Sequence, residues 1–247
     1  DIVQEVSNLA QNGVKEFNVI AQDTTYYGVD IDNKQNIAEL FSKMAEIDSV
    51  EWIRMLYAYP TTLNMEIINS IANNNKCCKY FDIPLQHIST SILAAMKRGI
   101  DENKTIEIIN NLKTAIPDSA IRTAFIVGFP GESDKDFYKL YDFINDYEID
   151  RVGIFTYSHE DNTSAYSLKD SIPESVKQER RNELMLLQQK VSLKKNKSKI
   201  GSSFKVLIDE EIDKTHSNYA AGYRFYGRTQ YDAPDVDNGV FIKTTKK

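Results

Sequence analysis

From Asp1 to about Ser158 the chain repeats one pattern: a helical stretch with one apolar face, then a short apolar run. Helical periodicity marks residues 1–12, 33–46, 64–73, 90–97, 103–114 and 134–147, and strand-like runs occupy 16–21, 52–58, 80–85, 121–129 and 151–157. Strands that alternate with helices are joined by right-handed crossovers, which places them in one parallel sheet with helices outside it. Five strands, with a helix but no strand before the first, predict an α/β fold. Its form is an open, partial parallel (β/α) barrel rather than a closed eight-fold one.

The pattern changes after Ser171. Ile172-Pro173-Glu174 is a helix start, with Pro in the first turn and an acid at the positive end of the dipole. Val176, Leu184, Leu187 and Val191 then mark one apolar face of a helix running to about Lys199. Lys177, Arg180, Arg181, Lys190, Lys194, Lys195, Lys197 and Lys199 stand against Glu179 and Glu183, so the other face reads as basic. Such a face is a solvated surface or a contact for RNA. From Gly201, β-like runs at 204–208, 220–226 and 240–242 alternate with turn residues such as Asp237-Asn238-Gly239. Three strands fall short of the five in an OB-like barrel, so a small, incomplete β domain is expected. The chain divides into a barrel at residues 1–170, a linking helix at 171–200 and a β domain at 201–247.

Charge and composition narrow the class. With 36 acids against 30 Lys and Arg the formal charge is −6, which argues against a protein that works mainly by coating nucleic acid. No apolar run approaches the roughly 20 residues that cross a bilayer. Asp1 begins directly in the helical pattern, without a charged-then-apolar leader. A cytoplasmic location with no membrane partner is expected. The two cysteines, Cys77 and Cys78, are adjacent, which excludes a disulfide framework and does not match the spacing of metal-ligating thiolates. His87, His159 and His216 are scattered, so no metal site is predicted.

In parallel barrels ligands bind where strands end. The first run ends in Ala21-Gln22-Asp23-Thr24-Thr25 and the second in Tyr57-Ala58-Tyr59-Pro60. The third ends in Pro84-Leu85-Gln86-His87, the fourth in Gly128-Phe129-Pro130-Gly131-Glu132, and the fifth in Thr156-Tyr157-Ser158. Five rims of donors, acceptors and rings can together hold a polar, nucleoside-like ligand. Two glycines around Phe129-Pro130 suit close backbone approach to such a ligand. The stretch is neither a phosphate-binding P-loop nor a GxGxxG fingerprint.

These strings resemble the radical S-adenosylmethionine methylthiotransferases. The resemblance rests on 20–28 (IAQDTTYYG), 54–60 (RMLYAYP), 82–87 (DIPLQH) with 96–99 (MKRG), and 122–132 (RTAFIVGFPGE). It continues through 157–160 (YSHE) and 178–183 (QERRNE) to 227–235 (GRTQYDAPD), and so covers essentially the whole chain. AQDTT and GRT..DAPD look like the branch that methylthiolates an aspartate of a small-subunit ribosomal protein. By the same resemblance the β domain is a TRAM module.

The resemblance implies a radical S-adenosylmethionine type of barrel, S-adenosylmethionine as cofactor, and two four-iron four-sulfur clusters in the complete enzyme. The CxxxCxxC motif and the three further cysteines that hold those clusters are absent here, so this chain is expected to bind no cluster and to be inactive alone. In the family, reductive cleavage of the cofactor yields a 5′-deoxyadenosyl radical that takes hydrogen from the aspartate β-carbon. The second cluster then supplies sulfur and another cofactor molecule the methyl. An electron donor for cluster reduction is implied as a partner.

No acid-base or nucleophilic residue is assigned. Gln22 and Asp23 are expected to meet the methionine end of the cofactor, and Gln86, Gly128 and Phe129 its nucleoside. Residues 201–247 carry seven acids and seven bases, with Asp232, Asp235 and Asp237 clustered. That acidic loop is expected to dock a basic ribosomal protein. Two alternatives stand beside this reading: a tRNA adenosine methylthiotransferase of the same family, and a non-catalytic α/β scaffold that binds a partner.

Overall fold

The structure is a computed structural model that describes residues 1–244; Lys246 and Lys247, counted among the bases above, lie outside the described residues. The barrel runs α1 (Ile2–Gln11), β1 (Glu16–Val19), a 3-10 turn (Thr24–Tyr26), α2 (Val29–Asp32), α3 (Ile37–Ala45), β2 (Trp52–Met55) and α4 (Met65–Asn73). It continues with β3 (Tyr80–Asp82), α5 (Thr90–Ala95), α6 (Glu102–Ala115), β4 (Ala120–Val127), α7 (Asp134–Tyr147) and β5 (Arg151–Thr156). Local chemistry sets the helix starts. Asn64 and Asp101 accept amide hydrogens three residues on, and Ser133 with Asp136 forms a reciprocal capping box. The helix expected at 33–46 begins later, at Ile37, because Asn33 takes left-handed backbone and ends α2, a single turn, before the new start.

All five strands are parallel and lie in sequence order. β1 pairs with β2 from Glu16 opposite Trp52 to Val19 opposite Met55, and β4 pairs with both β3 and β5. Between β2 and β3 the link is a bridge of Ile53 with Cys77, the Cys78 amide donating to the Ile53 carbonyl at 2.8 Å. Alternation then sorts the side chains. Ile53, Met55, Phe81, Ile121, Phe125, Val127, Val152 and Ile154 face outward beneath the helices and form the main core with Phe41, Ile67, Ile109 and Leu140. Each such side chain contributes about 1.5–3 kcal/mol by leaving water.

The inner face is different: Trp52, Arg54, Tyr80, Asp82, Arg122 and Arg151 bring rings and charges into the barrel.

α8 (Glu174–Ser198) crosses back over the sheet and buries Leu184, Leu187 and Val191. Its cations do not form one free basic face. Lys177 and Arg180 are buried and paired, Lys177 with Asp170 at 2.6 Å and Arg180 with Glu132 and Asp134 at 2.7 Å each. Lys194 pairs with Glu148, Lys195 with Asp150, and the Arg181 Nε donates to the Ile154 carbonyl. A helix lying on a sheet spends its long cations on strand and loop termini nearby, which residue counting along one helix does not reveal.

The β domain is an antiparallel sheet of β6 (Val206–Glu211), β7 (Phe225–Thr229) and β8 (Val240–Ile242), with a one-turn helix α9 (Ser217–Ala220) between the first two. The strand expected at 220–226 therefore starts later, since α9 and the left-handed Gly222 occupy its first half. Gly227 is required by packing: a Cβ there would meet the Leu207 carbonyl oxygen at 2.2 Å.

After β7 the loop 230–237 inserts against the inner face of the barrel. Asp232 binds Arg151 at 2.6 Å and the Thr229 hydroxyl at 2.6 Å, while Asp237 accepts from the Tyr80 hydroxyl at 2.6 Å and the Ala233 amide at 2.9 Å. The exposed acidic loop anticipated from the sequence is thus corrected: of its three aspartates only Asp235, in left-handed backbone, faces solvent. Arg54 and Arg228 close the junction by holding the two oxygens of Glu16, at 2.8 and 2.7 Å. Trp52, Cys78, Tyr80, Ala120 and Ala233 pack around them.

Candidate functional site

The ends of β3, β4 and β5 frame a cavity of about 540 Å³. Its floor is apolar, with Ala124, Ile126 and Phe155 from the inner faces of β4 and β5. Gln86 enters from the β3 rim in left-handed backbone, φ 71°, held by its amide to the Ala124 carbonyl at 2.9 Å and by the Ile126 amide to its own carbonyl at 2.8 Å. This paired but strained backbone aims the Gln86 side chain at the cavity. Phe129 and Tyr157 form one wall, edge to face at 5.1 Å.

Arg98 forms another edge. Its Nη2 donates to the Pro84 carbonyl at 2.8 Å, its guanidinium lies 4.5 Å from the Tyr59 ring centroid, and its buried Nε has no partner among the described residues. An apolar floor, aromatic wall, side-chain amide and a guanidinium donor suit a nucleoside bearing a carboxylate arm.

Not all rims converge there. Gln22 is exposed at the β1 rim and does not line the cavity. The Asp23 carboxylate is occupied locally: it accepts from the Thr25 amide at 3.1 Å, the Thr25 hydroxyl and the Thr62 hydroxyl at 2.8 Å, and so caps the turn that follows β1. Its neighbour Thr24 ties that turn to β2 through the Leu56 carbonyl.

Gly128 sits behind the cavity wall rather than against a ligand. Its amide donates to Glu132 Oε2 at 2.7 Å, and a Cβ at this position would lie 2.3 Å from Lys177 Cγ. The close approach expected at this glycine is real, but α8 makes it. With φ 76° and a neighbour near the root of its side chain, Gly128→Ala is expected to destabilise the chain by about 2 kcal/mol. Urea unfolding measures this; a change below a few tenths would show that Lys177 moves aside freely.

Three residues to which the sequence assigned no individual role support the wall. Glu132 gathers the Gly128 amide and the Arg180 guanidinium on its two oxygens, and fully buried His87 lies 3.7 Å from it. His87 Nδ1 accepts from the Ser89 amide at 2.9 Å, so the proton of the neutral ring is on Nε2, which has no partner among the described residues. Burial holds this imidazole down at about 4. Asp136 is held at about 2: burial raises it, but hydroxyl and amide donors from Ser133, Ser89 and Ser91 outweigh that. Glu132 was legible only as the last residue of the fourth rim, and nothing local announced a partner 48 positions away on α8.

Cys77 and Cys78 are buried, and burial pushes both thiols up to about 12. Adjacent, buried and protonated, they do not fit an iron-sulfur cluster. Among the described residues no cluster of three or more His, Cys, Asp or Glu could hold a metal ion. No helix there is long and apolar enough to cross a membrane.

Comparison with known proteins places this geometry in context. The profile of the Radical SAM superfamily matches residues 1–144 and that of the TRAM domain residues 200–247. The ribosomal protein uS12 methylthiotransferase RimO of Flavobacterium johnsoniae is 46% identical over 245 residues, 99% of this chain and 54% of that protein. The protein of the same name from Alkaliphilus oremlandii is 43% identical over 247 residues, 100% of this chain and 55% of that protein. The chain spans about half the length of the curated relatives it matches. Among solved structures, coproporphyrinogen III oxidase HemN from Escherichia coli superposes with a TM-score of 0.59 at 15% identity, over 77% of this chain and 44% of that one. The radical S-adenosylmethionine methyltransferase TsrM from Kitasatospora setae gives 0.50 at 15% identity, over 63% and 30%.

Proposed function

Because the chain belongs to the Radical SAM superfamily, matched over more than half its length and followed by a TRAM domain, we propose that it is the barrel and TRAM part of a ribosomal protein methylthiotransferase. The reaction adds a methylthio group to the β-carbon of an aspartate in a small-subunit ribosomal protein. The observation that carries this reading is the 41–46% identity, over 98–100% of the chain, to proteins named as uS12 methylthiotransferases.

The cavity fits the cofactor that the family uses. Phe129, Tyr157 and Ile126 offer an apolar slot for the adenine, Gln86 a side-chain amide for polar atoms of the nucleoside, and the unpartnered Arg98 Nε a donor for the methionine carboxylate. When bound, with a cluster, the cofactor supplies a carbon radical able to remove hydrogen from an unactivated carbon. The residues of this chain bind and orient it and keep water from it. They do not hold the cluster, whose ligands we place in the part of the relatives' length that this chain does not span.

Three basic groups of the β domain are already engaged, which supports a protein substrate over tRNA, since phosphate contacts need free cations. Arg228 is spent on Glu16 and Asp209, Arg224 on the Tyr219 and Tyr223 carbonyls, and Lys205 on Glu51. The test is to express the full reading frame, reconstitute it anaerobically, and supply cofactor and reductant with either the ribosomal protein or tRNA. Mass spectrometry is expected to find one methylthio group in place of hydrogen on an aspartate of the protein. Modification of the tRNA alone would refute the reading.

A further inference from the structure

At the opposite end of the strands, where they begin, a second cavity of about 350 Å³ lies between α6, α8 and the β domain. Three lysines line it: Lys113 from the last turn of α6, and Lys195 and Lys199 from the end of α8. Like charges avoid one another unless something holds them. Here burial first, then Lys195, lowers the Lys113 ammonium below its ordinary value. Lys199 is lowered too, by burial, Arg151 and Lys195 against the pull of Asp150 and Asp232.

The acids near this cluster are largely engaged elsewhere, Asp232 by Arg151 and the Thr229 hydroxyl and Glu148 by Lys194. Asp150 pairs with Lys195 at 2.6 Å but also caps β4 through the Ile121 amide at 3.0 Å, and Asp118 sits at the exposed rim. A second observation is independent of charge. Ser119, 4% exposed, lines the same cavity, and its buried hydroxyl has no partner among the described residues. Buried hydroxyls are nearly always bonded, so one left open at the foot of three ammonium groups marks where an acceptor belongs. The remaining wall is aromatic. Lys199 Nζ lies 5.4 Å from the Tyr231 ring centroid, and half-exposed Phe204 meets Tyr231 edge-on at 6.2 Å.

We propose that this cavity binds a nucleotide unit, its phosphate held by Lys113, Lys195, Lys199 and the Ser119 hydroxyl and its base laid on the Tyr231 and Phe204 rings. Three converging ammonium groups suit a multiply charged tetrahedral anion, and aromatic rings accept any base through its π-face. The source is either a free nucleotide or one residue of an RNA strand. The site lies away from the cofactor cavity, so its test does not depend on the proposed reaction.

Calorimetric titration of the full chain at low salt uses inorganic phosphate, adenosine monophosphate and a short single-stranded RNA. Phosphate and the nucleotide are both expected to bind, the nucleotide more tightly. Lys113→Gln and Lys199→Gln are each expected to weaken nucleotide binding about tenfold or more, as loss of a charge-assisted bond does. Tyr231→Leu is expected to weaken the nucleotide but not phosphate. RNA binding well above the mononucleotide identifies a strand as the source; equal affinities identify a free nucleotide. Circular dichroism checks that the variants fold. Absence of binding by all three probes, or binding unchanged in both lysine variants, would overturn the proposal, and so would an acidic peptide that displaces the nucleotide.

Discussion

Arg54→Met is expected to cost the folded chain about 3–5 kcal/mol, the range for breaking a buried ion pair by removing one partner. Arg54 is fully buried and donates to Glu16 at 2.8 Å and to the Gln230 carbonyl at 2.9 Å, with its guanidinium 4.9 Å from the Tyr80 ring centroid. Methionine fills much of the volume but leaves Glu16 with Arg228 alone and strands the carbonyl. The loss is electrostatic rather than steric, so the pair variant Glu16→Leu with Arg54→Met should recover a large part of it. Urea unfolding with a probe in each domain measures both. Because the pair ties β1 and β2 to the loop after β7, the single variant should also separate the unfolding of the β domain from that of the barrel. A cost below about 1 kcal/mol, in the range of exposed pairs, would show that this junction does not hold the two parts together.

The second large effect is a dependence on pH. His87 is neutral and buried, with its folded pKa lowered from 6.5 to about 4 by burial. A lowered histidine binds its proton more readily when unfolded, so its contribution is fully present above 6.5 and is lost as pH falls from 6.5 to about 4. At about 1.4 kcal/mol for each pH unit, the loss across that window is about 3 kcal/mol. Burial raises Glu132 beside it, which has the opposite sign: that contribution is present below the ordinary carboxylate value and declines as pH rises through the folded one. The difference between the natural chain and His87→Asn cancels the Glu132 part, since asparagine can still accept from the Ser89 amide. The slope of stability against pH between 6.5 and 4 should therefore flatten in the variant. Equal slopes would place the titrating group elsewhere.

Both effects fall on residues whose importance is hard to read along the chain. Arg54 stands in a run, WIRMLYA, that marks a strand by its apolar neighbours, and a lone arginine there reads as an edge or an exception. Its partners are 38 residues before it and 176 after. The rims show the same division. Gln86 and Phe129 were recognisable because they follow apolar runs, and they do line the cavity; Asp23 follows one as well, yet its carboxylate caps its own turn. Arg98 follows a helix, away from any strand end, and reaches the cavity only because α5 and the turn after it pack over the third rim.

Periodicity by itself determined the parallel order of five strands, their outward apolar faces and the end at which a ligand would bind. These follow from local sterics and from the handedness of βαβ crossovers, which act within a few tens of residues. Tertiary structure alone decided where the charges went. Ion pairs form between side chains that the fold brings within about 4 Å, whatever their separation in sequence. The cations of α8 were spent on Glu132, Asp134, Glu148 and Asp150, and Asp232 and Asp237 turned inward to Arg151 and Tyr80. Lys113 and Lys199 were left, beside the already paired Lys195, around a Ser119 hydroxyl with no partner among the described residues.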